Sequence, residues 1–189
     1  MLKHKHNGFT IVELLIVIVV IGILAAITIV AYNGIQVRAK NTSAASTAKG
    51  MVSMLKTYSV SNTTLQANTV TKDHLCLGNP GEFPAISGMG AGECRNDIGM
   101  GNWKADDNFA SELGKVGRAS SATALVTATD GQRYRGIWYD DNSATDPRVY
   151  YALQGASQTC AVSGATAVSG NGITICNVRI DFMINYLAP

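Results

Sequence analysis

The chain has 189 residues, of which 47% are hydrophobic and 15% charged, against about a quarter charged in an ordinary soluble domain. Fifteen basic and thirteen acidic residues leave +2, and Lys3 and Lys5 at the extreme N-terminus account for that excess, so there is no strong intrinsic signal for nucleic-acid binding through a basic surface. Of the three histidines, His4 and His6 share that opening stretch and only His74 lies elsewhere, which argues against histidine-dependent catalysis and multi-histidine metal centres.

Leu14 to Val37 is a run of 24 residues without a charge. As a helix rising ~1.5 Å per residue it reaches about 36 Å, enough to cross a hydrocarbon core of ~30 Å with some tilt. A secretory signal would have a shorter apolar region, of about 7–15 residues, followed by a small-x-small cleavage site. Glu13 interrupts the apolar stretch that begins at Phe9. A carboxylate there is costly in lipid unless it is paired, which makes it a candidate functional residue. Gly22 and the pair Asn33-Gly34 are points where the helix could loosen or bend.

Gly8-Phe9-Thr10-Ile11-Val12-Glu13-Leu14 behind a short basic leader resembles the processing site of type IV prepilins and the related pseudopilins. The resemblance covers roughly residues 1–35 and implies that a membrane prepilin peptidase cleaves after Gly8. Phe9 then becomes the N-methylated first mature residue, and Glu13 is the assembly residue that pairs with the α-amino group of a Phe9 in the same or a neighbouring subunit. Glycine before the scissile bond presents no side chain to obstruct the peptidase. Val30 stands where many family members carry a helix-breaking proline, so melting of the helix on assembly does not follow from this sequence.

From Ile35 to about Ser59 the pattern turns amphipathic, with Ala44, Ala48, Met51, Leu55 and Tyr58 recurring at three- and four-residue intervals. One continuing helix whose stripe packs on its own sheet accounts for this. Residues 61–109, rich in glycine, read as a connecting loop. Thr123–Thr129 and Gln132–Tyr139 flank Asp130-Gly131, a strong hairpin signal. Arg148–Gln154 and Ile173–Ile180 are further strand candidates, the latter after an Asn171-Gly172 turn.

The resulting expectation is an α+β fold in which a long N-terminal helix packs on a roughly four-stranded antiparallel sheet. Its parts are a cleaved leader at 1–8 and a helix at 9–60, apolar over 9–32 and amphipathic over 33–60, followed by a connecting loop at 61–109 and a sheet domain at 110–189. Cys76, Cys94, Cys160 and Cys176 all follow the apolar run, which suggests disulfides and an oxidising exterior. Of the three connectivities that four cysteines permit, Cys76 to Cys94 and Cys160 to Cys176 is the favoured one; no C-x2-4-C spacing supports a zinc site.

No catalytic, cofactor or metal site emerges. Gly88-x-Gly90-x-Gly92 lacks the context of a phosphate loop, and Asp140-Asp141-Asn142-Ser143 with Asp146 gathers oxygen ligands suitable for calcium but matches no EF-hand and reads first as a turn. Asn41-Thr42-Ser43 and Asn62-Thr63-Thr64 fit the N-glycosylation pattern weakly.

The resemblance therefore implies a non-enzymatic structural subunit of a type IV pilus, a helical homo-oligomer serving motility, adhesion or DNA uptake. Its other partners would be the peptidase, the membrane-bound pilus assembly machinery and, before assembly, membrane lipid. It would begin as a single-pass bacterial inner-membrane protein with a cytoplasmic N-terminus and end in an extracellular filament. The alternatives are a pseudopilin of a type II secretion system and a singly anchored envelope ligand-binding protein.

Overall fold

The computed structural model describes residues 9–61, 65–67, 75–97, 101–117, 120–140, 146–180 and 184–186. The chain divides into two compact units, Met1–Ala39 and Lys40–Pro189. Helix α1 spans Ile11–Ser61 and contributes to both. Gly22 and Gly34 sit inside it without interrupting it; nothing approaches within 4 Å of a Cβ placed on either.

In the unit from Lys40 onward, the helical stripe behaves as its periodicity predicts. Ala44, Ala48, Met51, Leu55 and Tyr58 are buried together with Leu75, Leu77, Phe109, Ile137, Tyr139, Val149, Tyr151, Leu153 and Val178 in one core. Side chains on a strand alternate between faces, so the residues between these point to the other side of the sheet. There Trp138, Tyr134, Trp103, Phe83, Val126 and Ala152 form a second core. Trp138 stacks between Tyr134 and Tyr150, with ring centroids 5.4 and 5.8 Å away.

The sheet departs from the expected roughly four antiparallel strands: it is mixed and has nine. Its strands are β2 (Leu75–Cys76), β3 (Glu93–Asp97), β4 (Gly101–Ala105), β5 (Ala122–Thr127), β6 (Arg133–Gly136), β7 (Trp138–Asp140), β8 (Arg148–Gln154), β9 (Thr166–Gly170) and β10 (Ile173–Arg179). They run in the order β5-β6-β3-β4-β2-β7-β8-β10-β9. All pairs are antiparallel except β2 with β4. A separate parallel pair joins β1 (Leu65–Ala67) to β11 (Ile184–Tyr186).

The glycine-rich segment read as a connecting loop thus supplies β2, β3 and β4. Their sequences, Leu-Cys, Glu-Cys-Arg-Asn-Asp and Gly-Asn-Trp-Lys-Ala, carry no apolar alternation. Main-chain ladders do not require one, because the hydrogen bonds come from the backbone alone. Arg135 fixes the segment from β6. Its guanidinium donates to the carbonyls of Glu93 at 2.7 Å and Gly90 at 2.8 Å, and also to that of Pro84.

The stretch Gln132–Tyr139, read as one strand, is two. β6 pairs with β5 and β3, whereas β7 pairs with β2 and β8. The change falls at Gly136, where a Cβ would lie 2.7 Å from that of Cys94 and 2.8 Å from the Phe83 ring, so only glycine allows the approach. The segment after β4 also folds as helix α2 (Asp107–Gly114), whose first turn is capped by Asp106 accepting from Phe109 N at 2.8 Å.

The two turn motifs meet. Asn171 and Gly172 hold φ of 51° and 73°, the left-handed pair that a two-residue hairpin requires. Thr129 N donates to Asn171 O at 2.9 Å, and Asn171 Nδ2 to Asp130 Oδ2 at 2.6 Å. This ties the β5–β6 turn to the β9–β10 turn.

Candidate functional site

The N-terminal unit presents the chemistry that the sequence singles out. From Phe9 to Ile35 every large apolar side chain is exposed, from Val20 at 48% to Ile11 at 86%. Monomeric soluble proteins do not leave a continuous apolar surface of this kind uncovered, so it marks a surface for membrane or for other helices. By length and composition the helix is able to cross a membrane.

Phe9 is 81% exposed at the head of this surface. Gly8 and the rest of the basic leader lie outside the described residues. Glu13 is bound by Thr10: its Oε2 accepts from Thr10 N at 2.8 Å and from Thr10 Oγ1 at 2.7 Å, while Glu13 N donates to Thr10 Oγ1 at 3.2 Å. This reciprocal arrangement is a capping box, in which the first and third positions of a helix satisfy each other's amides. Oε1 has no partner among the described residues. Residues precede Phe9 in this chain, so its nitrogen is a peptide amide and not an α-amino group.

Thr10 is the residue that the sequence reading passed over. The signal was present, since Thr-x-x-Glu ahead of an apolar run is a helix-start signature. Further along, Thr28 Oγ1 donates to Ala25 O at 2.9 Å, so its hydroxyl adds no unpaired polar group to the apolar surface.

All four cysteines lie in the other unit and are bonded, Cys76 to Cys94 and Cys160 to Cys176. The first bridge links β2 to β3. The second fastens the chain after β8 to β10, enclosing β9. Among the described residues no group of three or more His, Cys, Asp and Glu is placed to hold a metal ion. Asp146 is bound by Arg148 at 2.8 Å and approached by Arg179 at 3.7 Å. Asp141, Asn142, Ser143, His74 and Asn62 lie outside the described residues.

Asn41, the first residue of one glycosylation pattern, has its amide occupied. Nδ2 donates to Gln154 O at 2.9 Å, and Oδ1 accepts from Gln154 N at 2.9 Å. The side chain pairs with the end of β8 as a neighbouring strand would, and an N-linked glycan would require the nitrogen that donates here.

Comparison with known proteins bears on the N-terminal unit. Residues 3–29 match the prokaryotic N-terminal methylation motif. The chain is 43% identical over 58 residues to the fimbrial protein EcpC of Eikenella corrodens, a stretch covering 31% of this chain and 38% of that protein. The match therefore spans well under half of the relative's length. No solved structure matches significantly.

Proposed function

We propose that this chain, a type IV pilin-family protein, is the structural subunit of a type IV pilus filament, assembled through its apolar helix. It enters the membrane as a prepilin with the leader on the cytoplasmic side. It is cleaved after Gly8 and methylated on Phe9, and the pilus assembly machinery then draws it into a helical homo-oligomer on the cell surface. The filament serves motility, adhesion or DNA uptake.

The observation that carries the reading is the joint placement of Glu13 and an uncovered apolar helix. The carboxylate stands in the first turn of a surface where every large apolar side chain from Phe9 to Ile35 is exposed. Lipid covers that surface in the precursor and neighbouring helices cover it in the filament. In the filament the α-amino group freed at Phe9 leaves water together with Glu13, and each charge then needs the other. Glu13 Oε1, unpartnered among the described residues, is the oxygen available to it.

Electron microscopy of filaments sheared from the cell surface, with peptide mass mapping of their subunit, tests the reading. N-methylated Phe9 and no Met1-to-Gly8 peptide are expected. An intact N-terminus on exported protein, or filaments that lack this chain, would overturn it.

A further inference from the structure

The unit Lys40–Pro189 carries a surface cleft of about 340 Å³ that none of the roles above uses. Thr42, Ser46 and Lys49 of α1 line one side. Their four- and three-residue spacing puts them on one helix face. Thr159, from the segment after β8, lines it as well. These four side chains make no hydrogen bond or ion pair within the described structure. No carboxylate lines the cleft, and Ala45, Leu153 and Ala161 supply its apolar surface.

The polar groups that frame the cleft are committed to one another. Asn41 holds both main-chain groups of Gln154 and donates to Gln158 Oε1 at 3.3 Å. Gln158 N donates to Thr174 Oγ1 at 2.9 Å, and Thr174 is fully buried. A braced frame thus surrounds one ammonium and three hydroxyls, all four side chains exposed and without a protein partner among the described residues.

We propose that this cleft binds a small oxyanion ligand, a carboxylate or phosphate carried on a hydroxyl-bearing body about the size of one sugar ring. Lys49 supplies a charge-assisted hydrogen bond to the oxyanion. The three hydroxyls donate to its remaining oxygens or accept from hydroxyls on the ligand body, and the alanines and Leu153 meet a C–H face. The positive charge, with no acid lining the cleft among the described residues, disfavours a cation. The volume is at the small end of ligand sites, which run from about 300 to 1,000 Å³. A free sugar acid or sugar phosphate and a residue of an acidic glycan share this chemistry.

The test uses the full chain in detergent micelles, with binding followed by amide chemical shifts of Thr42, Ser46 and Thr159. The probes are glucuronate, glucose 1-phosphate, glucose, inorganic phosphate and a uronate oligomer. Saturable shifts confined to the cleft are expected with glucuronate or the sugar phosphate and not with glucose. Lys49→Gln should weaken binding at least about tenfold, and Thr42→Val a few-fold. Lys49 is exposed and unpaired, so its replacement leaves the fold intact. Tighter binding of the oligomer per uronate unit would identify a glycan as the source, and equal binding a free small molecule; both support the site. Glucose binding as well as glucuronate, an undiminished Lys49→Gln variant, shifts outside the cleft, or phosphate binding without either anionic sugar would overturn it.

Discussion

Replacing Asn41 by aspartate exchanges a single NH2 group for an oxygen and should nevertheless loosen the fold. In the native chain the carboxamide donates to Gln154 O and accepts from Gln154 N, each at 2.9 Å. Asn41→Asp keeps the acceptor but sets an oxygen against the carbonyl of Gln154, which loses its donor in a half-buried position. An unsatisfied buried acceptor costs roughly 1–3 kcal/mol, and the charged oxygen facing it adds to that. The stronger bond to Gln154 N returns part of the loss, leaving about 2–3 kcal/mol at neutral pH, or roughly 4–12 °C in Tm for a chain of this size. The sign of the pH dependence follows from the geometry. Once protonated, the introduced carboxyl is a donor to Gln154 O, so its folded pKa lies above the unfolded value of about 3.9. The rescue is complete below that unfolded value and is lost as pH rises through the folded one. Thermal unfolding of the full chain in micelles, followed by near-ultraviolet circular dichroism of the buried Trp103 and Trp138, would measure this at pH 3.5 and pH 7. A deficit below about 0.5 kcal/mol at pH 7, or one that does not shrink on acidification, would refute the clamp.

Four other outcomes can be checked. Glu13→Gln retains an acceptor for Thr10 but not the charge, so processed protein should accumulate in membranes while surface filaments, counted in micrographs, become scarce; Thr10→Val removes only the hydroxyl and should preserve them. Leu55→Ala, in the fully buried helical stripe, should lower stability by about 2–5 kcal/mol in urea titration, because it opens a cavity that the sheet cannot close. The hydrogen bond from Lys115, and then that from Tyr58, holds the Glu112 carboxyl below the usual range. Its stabilising effect is present above the unfolded pKa and disappears as pH falls through the folded one, so Glu112→Gln should flatten the acid limb of the stability profile. Removing the Cys160–Cys176 bridge, a separation of 16 residues, should cost about 3 kcal/mol in the chain-entropy account, measured as a drop in denaturation midpoint for Cys160→Ser with Cys176→Ser.

The legible parts of the sequence were those where side-chain chemistry is repeated or conformationally demanding. The apolar run predicts the exposed helix, and three- and four-residue spacing predicts which side of its second half is buried. Asn171-Gly172 predicts the hairpin, because left-handed backbone selects those residues, and Arg148–Gln154 matches β8 at both ends. β3 and β9 escaped for the opposite reason. Glu93–Asp97 is mostly polar, and Thr166–Gly170 is exposed along its length, so neither leaves a period-two pattern. Their pairing is carried by main-chain bonds and by side-chain contacts such as Arg135 with Glu93 O and Thr166 with Asn177. At the N-terminus Glu13 was conspicuous as a charge among apolar residues, whereas Thr10 was not. A threonine ahead of a helix is common, and only its bonds to Glu13 distinguish it.

Both disulfides lie beyond the helix, the first cysteine being Cys76, and α1 ends at Ser61. No covalent cross-link therefore fastens the helix. Residues 40–61 are held to the sheet by side-chain packing and a few hydrogen bonds, those of Asn41 and Tyr58 among them. Under a mechanical load applied between the two, the joint would fail by sliding of α1 from its bed while the cross-linked strands stayed folded. A subunit built in this way has a defined weak plane. Its yield force depends on the packing of the buried row Ala44, Ala48, Met51 and Leu55, in a core that Cys176 shares and Cys160 packs against.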